Sequence, residues 1–368
     1  MQKFRGAISF VTVLCMVFSF CACGNSNTTL SSSTEKSPDA GSAAASAQSG
    51  SQETTKDLSG AKYILKAGHV LSTEHPYQSG LEKLDELLNE RTNGEVRVEI
   101  YPSSQLGNER DLFEGCQLGT VDLALGATAP LANFIEGFTV FDLPYLFASK
   151  DEAYKALDGE WGKNKMDTLE SVDMIGLAFW ECGYFDVINS NRSIKEIKDY
   201  DGLSIRVMEN NVFMATMSAL GINPVPMAWS EVFTSIQNGT VDGTSNPIAT
   251  IYSSNIHTIA KYFTIANMIY SPTPLIMSKA TYDSLPAEYQ QILRDAAQEV
   301  ALYERSLVSD MEDTALVEME KAGTEIIKFD DTQIAEMKKL MQEKVWPQFI
   351  GSSVEQNDID QIQSIIGG

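Results

Sequence analysis

Two periods of apolar residues alternate along the chain after residue 60. Residues 63–70 are a largely apolar strand candidate, whereas Pro76 to Arg91 carries leucines at helical spacing and predicts an amphipathic helix. Val96 to Ile100 alternates as a strand, and a second helix is predicted from about Asn108 to Leu118. Strands that alternate with helices are typical of an α/β fold, in which helices cover a largely parallel sheet.

A short sequence repeat suggests two similar units. Gln117 to Asp122 has the sequence QLGTVD, and Gln237 to Asp242, 120 residues later, has QNGTVD. In each copy a helix stops at a glycine and a strand follows at once. Two lobes with a crevice between them are the usual geometry for enclosing a small molecule. We therefore expect a two-lobed fold with a ligand cleft.

The predicted domain boundaries follow this organisation. Residues 61–183 form the first lobe, with a returning segment at about 269–285. Residues 184–268 form the second lobe, with C-terminal helices from about 310. A long helix over 286–314 bridges both lobes.

The first 60 residues do not belong to this fold. Two basic residues precede an apolar run that ends at Ala22, too short to span a membrane and typical of an export signal over residues 1–22. Cys23 is the candidate for lipidation in a bacterial lipobox; an ordinary signal peptide is the alternative. Residues 23–60 are rich in Ser, Thr, Ala and Gly, which predicts a disordered tether. We expect an exported protein, anchored by lipid at the outer face of the cytoplasmic membrane or in the periplasm.

Composition and charge narrow the function classes. With 43 % hydrophobic and 21 % charged residues the chain has enough apolar residues to fold. Its 27 Lys and Arg against 50 Asp and Glu give a formal charge of −23, which repels phosphate backbones and argues against a nucleic-acid partner. Only Cys116 and Cys182 remain after the signal and Cys23, and two free buried thiols are favoured over one bridge.

No motif for catalysis or metal binding is visible. The chain has three histidines and lacks HExxH, GxSxG, GxxxxGK[ST] and paired CxxC motifs. We therefore expect no cofactor, no metal and no enzyme activity. Glu74 and His75 follow the first strand, and they either face the crevice or are ordinary loop residues near a helix start.

Three residues have side chains suited to holding an organic anion. Arg206 alternates with Ile205 and Val207 in a strand, and its planar fork suits a carboxylate; a surface ion pair is the alternative. Asn246 would lie at a strand's carboxyl end, unless it is only a turn residue before Pro247. Trp229 is either a stacking surface for a ligand or a core aromatic.

A set of landmarks resembles the solute-binding proteins of tripartite ATP-independent periplasmic (TRAP) transporters, the DctP-like family. The resemblance covers about residues 61–330, in order and with natural spacing. The landmarks are His75-Pro76, Thr92-Asn93-Gly94, Tyr101 to Gly107, Gln117 to Asp122, Phe141 to Phe147, Gly202 to Val207, Pro224 to Phe233 and Gly239 to Pro247.

The resemblance implies a periplasmic-binding-protein-like fold that closes on an organic acid and delivers it to a small and a large membrane subunit. In this family the strand arginine, here Arg206, forms a salt bridge to the ligand carboxylate. The asparagine before proline, here Asn246, hydrogen-bonds the same group, and an aromatic at the Trp229 position covers it. We expect a monomer.

One departure from the family pattern bears on the substrate. The family usually has a second arginine at the position of Phe185. A second carboxylate would then lack a partner, and burying an unpaired charge costs several kcal/mol. A monocarboxylate or sugar acid is therefore favoured over a C4-dicarboxylate. The expected aromatic wall is Tyr184, Phe185 and Trp229, and the residues expected to meet hydroxyls are Glu181, Glu209 and Asn210.

Two other function classes make different demands on the chain. A secreted lipoprotein hydrolase acting on a small acidic or sugar substrate needs a nucleophile and a base, or a metal cluster, in the crevice. A structural or adhesive lipoprotein needs no crevice at all.

Overall fold

In the computed structural model, residues 58–367 are described, and within them nine strands form one sheet. The strands are β1 (Tyr63–Gly68), β2 (Val96–Tyr101), β3 (Leu123–Leu125), β4 (Met174–Asn189), β5 (Ser204–Val207), β6 (Asn223–Pro226), β7 (Gly243–Asn246), β8 (Tyr262–Ser278) and β9 (Glu325–Lys328). Their order across the sheet is β2-β1-β3-β8-β4-β7-β5-β6, and β9 pairs with β8.

The helices cover this sheet and largely follow the predicted pattern. The helix predicted from Pro76 to Arg91 has those bounds, and the predicted long helix begins at Ala287 but extends to Lys321. The helices are α1 (Pro76–Arg91), α2 (Glu109–Leu118), α3 (Thr128–Leu131), α4 (Lys150–Leu157), α5 (Glu160–Asp167), α6 (Asn211–Ala219), α7 (Val232–Gln237), α8 (Ile248–Ser253), α9 (Lys279–Ser284), α10 (Ala287–Lys321), α11 (Asp331–Lys344) and α12 (Gln356–Gly367).

The sheet is mixed, so the prediction of a largely parallel sheet was wrong at its centre. Strands β2, β1 and β3 are parallel to one another, as are β7, β5 and β6. Between these two triplets lie β8 and β4, which are antiparallel to each other and to the triplet strands beside them. All 16 residues of β4 are buried, so its sequence lacks the alternation that marks a half-buried strand.

Helix α10 covers an edge of β4 that no strand covers in the described chain. Strand β7 pairs with β4 only over Asp186–Asn189, which leaves the earlier backbone groups without a strand partner on that side. Side chains of α10 take the place of a strand, because buried backbone groups need hydrogen bonds. The bonds run from Gln298 Nε2 to Leu177 O (2.7 Å), from Arg305 Nη2 to Phe179 O (2.7 Å) and from Glu181 N to Glu304 Oε2 (2.9 Å).

The sequence repeat has the same structural role in both copies. Gly119 and Gly239 have φ of 72° and 70°, the left-handed conformation that ends a helix. The aspartate three residues later holds the neighbouring strand: Asp122 Oδ2 accepts the N–H of Lys66, and Asp242 Oδ2 accepts that of Ser204, both at 2.8 Å. Each copy therefore joins a new parallel strand to one already in place, β3 to β1 and β7 to β5.

A buried carboxyl lies where the pairing of β4 and β8 is irregular. Asp186 Oδ1 accepts the backbone N–H groups of Ala266 and Asn267 at 2.7 and 2.8 Å, and Oδ2 has no hydrogen-bond partner in the described chain. Burial raises the pKa of Asp186 to about 7.

The left-handed backbone conformation of Gly239 predicts that replacing this glycine lowers the stability of the protein. No atom lies within 4 Å of where a Cβ would stand, so alanine meets only the conformational penalty. We expect Gly239→Ala to lower the free energy of unfolding in urea by about 1 kcal/mol. Gly239→Asn should cost less. Gly60, equally unobstructed and without positive φ, is the matched control, and an equal effect of alanine at both sites would contradict the account.

Asp186 predicts a pH dependence of stability. The native pKa lies above the ordinary value of about 3.9, so the folded protein binds this proton more tightly and stability falls as pH rises from about 4 to 7. Asp186→Asn should remove about 2–3 kcal/mol of that fall between pH 5 and pH 8, seen as a smaller difference between the urea midpoints at these two pH values. The exposed Asp360→Asn is the control. If the free energy of unfolding of Asp186→Asn depends on pH as strongly as that of the unaltered protein, Asp186 is not the group responsible.

Candidate functional site

The carboxyl ends of four strands, two from each parallel triplet, meet at one cavity. It is a small cavity of about 30 Å³. Strands β1 and β3 contribute residues that follow them, β7 contributes its last residue, and β5 contributes Arg206 and the residue after the strand, Met208. The lining residues are Val70, Leu71, Tyr77, Glu109, Ala127, Cys182, Phe185, Arg206, Met208, Trp229, Asn246 and Thr250.

Arg206 is buried in this cavity and is not a surface arginine. Its side chain is 2 % exposed. No carboxylate oxygen in the described chain lies within 4.0 Å of the guanidinium nitrogens, so Arg206 forms no ion pair there. Nε and Nη2 donate to the carbonyl oxygen of Met227 at 3.0 and 2.9 Å, and Nη1 donates to Asn246 Oδ1 at 3.3 Å. These three bonds fix the plane of the guanidinium.

Two donors of Arg206 are left over, one on each terminal nitrogen. A guanidinium has five N–H groups, and the described residues accept three of them. Burial lowers the pKa of Arg206 to about 10, while the negative charges of Glu109 and Glu209 oppose that shift. The group is therefore still a cation at pH 7, with a pair of N–H groups suited to the two oxygens of a carboxylate.

Asn246 adds further donors to the same end of the cavity. Its Oδ1 accepts from Arg206 and from Thr244 Oγ1, the latter at 2.7 Å. The amide orientation is fixed by these two donors, and Nδ2 has no partner among the described residues. Arg206 and Asn246 thus present only N–H groups to a ligand, which is the chemistry of an anion site.

The aromatic wall consists of Phe185 and Trp229. The ring of Trp229 lies 5.5 Å from the guanidinium carbon of Arg206, a cation–π distance. Phe185 is buried and packs edge-on against Phe213 at 5.0 Å. Tyr184 is not part of this wall, since its hydroxyl donates to Phe147 O at 3.3 Å on another side of β4.

Glu109 lines the cavity and was missed by the sequence analysis. It is the first residue of α2, and its Oε1 accepts the N–H of Ala127 at 2.8 Å. Burial raises the pKa of Glu109, although this bond and the charge of Arg206 oppose the rise. No periodicity or motif marks Glu109, because its place depends on how α2 meets the loop after β3.

Besides Tyr184 and His75, four expected ligand contacts lie outside the cavity, for reasons the structure makes clear. Glu74 is exposed, and Glu209 is exposed in a neighbouring pocket, which shares Arg206 and Glu109 with the cavity and is also lined by the exposed Arg110. Glu181 is buried elsewhere, with Oε1 2.8 Å from Lys150 Nζ. Asn210 caps α6 and donates to Ala129 O and Asp142 Oδ2 at 3.1 and 2.9 Å, so its amide is already used.

His75 lies behind the cavity wall. It is the N-cap of α1, where Nδ1 accepts the N–H of Tyr77 at 3.3 Å, and its Nε2 is 3.5 Å from Thr250 Oγ1. Cys182, which lines the cavity, and Cys116 are both buried free thiols. Among residues 58–367, the cavity therefore has hydrogen-bond donors at one end and mostly apolar side chains along its walls.

Two observations concern the chain's relation to the membrane. Within residues 58–367, every helix is either too short or too polar to cross a bilayer. The predicted signal, tether and lipidation site at Cys23 lie outside the described residues.

Comparisons with known proteins identify the family. Residues 67–351 match the family model "Bacterial extracellular solute-binding protein, family 7". The chain is 33 % identical over 263 residues to the 2,3-diketo-L-gulonate-binding periplasmic protein YiaO of Escherichia coli, covering 72 % of this chain and 80 % of that protein. It is 36 % identical over 264 residues to the C4-dicarboxylate-binding periplasmic protein DctP of Rhodobacter capsulatus, covering 71 % and 78 %.

A solved structure extends the likeness to the whole fold. The sugar acid binding protein DctPAm of Advenella mimigardefordensis, in complex with galactonate, superimposes with a TM-score of 0.80 at 26 % identity, covering 83 % of this chain and 98 % of that one. The two-lobed α/β fold predicted from the sequence is confirmed, and these relatives are binding proteins and not enzymes. The chain belongs to the extracellular solute-binding protein family 7, the DctP-like solute-binding proteins of TRAP transporters.

Proposed function

We propose that this protein captures a hydroxylated monocarboxylate, of the sugar-acid class, outside the cytoplasm and delivers it to the small and large membrane subunits of a TRAP transporter. A lipid on Cys23 would hold it at the membrane, with residues 23–60 as the tether. Residues 61–183 and 184–268 would be the main parts of the two lobes. The family membership supports transport of an organic acid, and the cavity supports the choice of substrate.

The unused donors of Arg206 and Asn246 carry the proposal. A buried cation with two free N–H groups and no carboxylate partner is costly unless a ligand supplies the missing charge. A carboxylate bound to both terminal nitrogens of Arg206 would also reach Asn246 Nδ2 and lie under the ring of Trp229. Capture by this route breaks no bond in the ligand.

The rest of the cavity favours a single carboxylate. Arg206 is the one cationic side chain among its lining residues, and Arg110, which lines only the adjoining pocket, is exposed to solvent. Phe185 stands where the resemblance places the family's second arginine. Glu109 would repel a second carboxylate but accept hydrogen bonds from hydroxyl groups. The relatives that bind galactonate and 2,3-diketo-L-gulonate fit this chemistry, whereas the one that binds C4-dicarboxylates marks the competing substrate class.

Closure of the two halves would follow ligand binding. The lining residues come from both triplets of strands, so one ligand would contact both halves and favour the closed state by its differential affinity. Hydrogen bonds already connect the halves, such as Ser72 Oγ to Ser253 O at 3.2 Å and Asn133 Nδ2 to Glu209 O at 3.3 Å. A hydrolase is not favoured, because the relatives are binding proteins.

Arg206→Lys tests the carboxylate site. Lysine keeps the charge but lacks the planar fork, so we expect the tightest-binding ligand among D-galactonate, D-galacturonate and D-erythronate to bind about 10 to 100-fold more weakly by calorimetry. The fold should remain, as judged by circular dichroism. Arg91→Lys, which changes an exposed ion pair with Glu299, is the matched control and should bind normally. Unchanged affinity in Arg206→Lys would remove Arg206 from the site.

A ligand panel with Glu109→Gln tests the substrate class. In the unaltered protein we expect the best of these sugar acids to bind at least about tenfold more tightly than succinate or malate, since a second carboxylate would face Glu109. Glu109→Gln removes that repulsion. It should therefore raise the affinity for succinate and reduce the difference in affinity between the sugar acid and succinate. Succinate or malate binding more tightly than every uronate and simple monocarboxylate would contradict the proposal.

A further inference from the structure

Thr250 occupies a position in the cavity that the binding of a carboxylate does not explain. It lies in the first turn of α8, four residues after Asn246, and its side chain is 1 % exposed. It lines the same cavity as Arg206 and Asn246. Its hydroxyl contacts one side chain in the described chain, the imidazole of His75.

The protonation of His75 is fixed by its surroundings. Nδ1 accepts the backbone N–H of Tyr77 at 3.3 Å and therefore carries no proton. Burial and the neighbouring His69 lower the pKa of His75 well below its usual value, so the ring is neutral. The single ring proton is then on Nε2, the atom 3.5 Å from Thr250 Oγ1.

The direction of the contact determines what Thr250 can do. Because His75 Nε2 donates, Thr250 Oγ1 accepts, and the hydroxyl proton of Thr250 is left to donate to another group. In residues 58–367 it has no second hydrogen-bond partner. Because Thr250 lines the cavity, this proton is available to a group bound there.

We infer that Thr250 is a specificity-determining residue that donates a hydrogen bond to an oxygen of the bound organic acid, and that His75 is the positioning residue that orients its hydroxyl. The inference rests on the proposed function, since it concerns the same cavity. It also revises the expectation for His75, which acts through Thr250 and does not itself touch the ligand.

The two residues belong to opposite halves of the sheet. His75 follows β1 in the first triplet, whereas Thr250 follows β7 in the second. The contact is part of a small interface in which Ser72 Oγ also donates to Ser253 O, one turn further along α8. The hydroxyl of Thr250 is therefore oriented by His75 only when the two halves are in contact. Closure of the halves makes this hydroxyl available as a hydrogen-bond donor to the ligand.

The test compares Thr250→Val, Thr250→Ser and His75→Asn. Valine has nearly the shape of threonine without the hydroxyl, serine keeps the hydroxyl, and asparagine at position 75 still caps α1 but is too short to reach Thr250. With the tightest-binding sugar acid of the panel as probe, we expect Thr250→Val to weaken binding about tenfold and Thr250→Ser to bind nearly normally. His75→Asn should weaken binding several-fold alone and add nothing in the Thr250→Val background.

A purely structural role is separated by the ligand-induced rise in melting temperature. Thr250→Val leaves the buried Nε2–H of His75 without its acceptor and should lower the melting temperature of the ligand-free protein, and the inference requires that it also lose part of the ligand-induced rise, which Thr250→Ser should keep. Normal affinity in Thr250→Val, or effects of the two substitutions that multiply in the double variant, would overturn it. If His75→Asn does not fold, the ligand affinities of Thr250→Val and Thr250→Ser test the role of Thr250 without it. Binding retained in Arg206→Lys would instead count against the proposed function.

Discussion

The buried guanidinium of Arg206 is the constraint on which the arrangement of the site depends. Taking a cation out of water is costly, and the protein offsets that cost only in part, with one carbonyl and one amide oxygen. The neighbouring Asn246 is held so that it too offers donors. The site is therefore incomplete without an anion, and this incompleteness is why we propose the cavity as the binding site for an organic acid.

The fold explains how these groups come together. Two parallel triplets present the carboxyl ends of their strands to each other, and β4 and β8 run between them as a shared frame. Helix α10 stabilises the frame by capping the edge of β4 with its side chains. Its early residues pack in the larger hydrophobic cluster, and Ala315 and Met319 pack in a second one with α7 and α8. One continuous set of elements thus supports both sides of the cleft.

The sequence predicted those features whose cause is local. The helix from Pro76 to Arg91 follows from its leucine spacing, and Gly119 and Gly239 mark helix ends through their backbone freedom. Strands β4 and β8 were missed because strands buried on both faces do not alternate. In the site, Arg206, Asn246, Trp229 and Phe185 were predicted and line one cavity. Glu109 and Thr250 were not, and Glu181 and Asn210 lie elsewhere, because their positions depend on contacts between distant elements.

A crystal structure of the protein with its bound organic acid tests the central claim most directly. The account predicts one carboxylate with its two oxygens within hydrogen-bond distance of both terminal nitrogens of Arg206, and with one of them also near Asn246 Nδ2. A ligand whose carboxylate lies elsewhere in the cavity, with the two donors of Arg206 still unused, would contradict it.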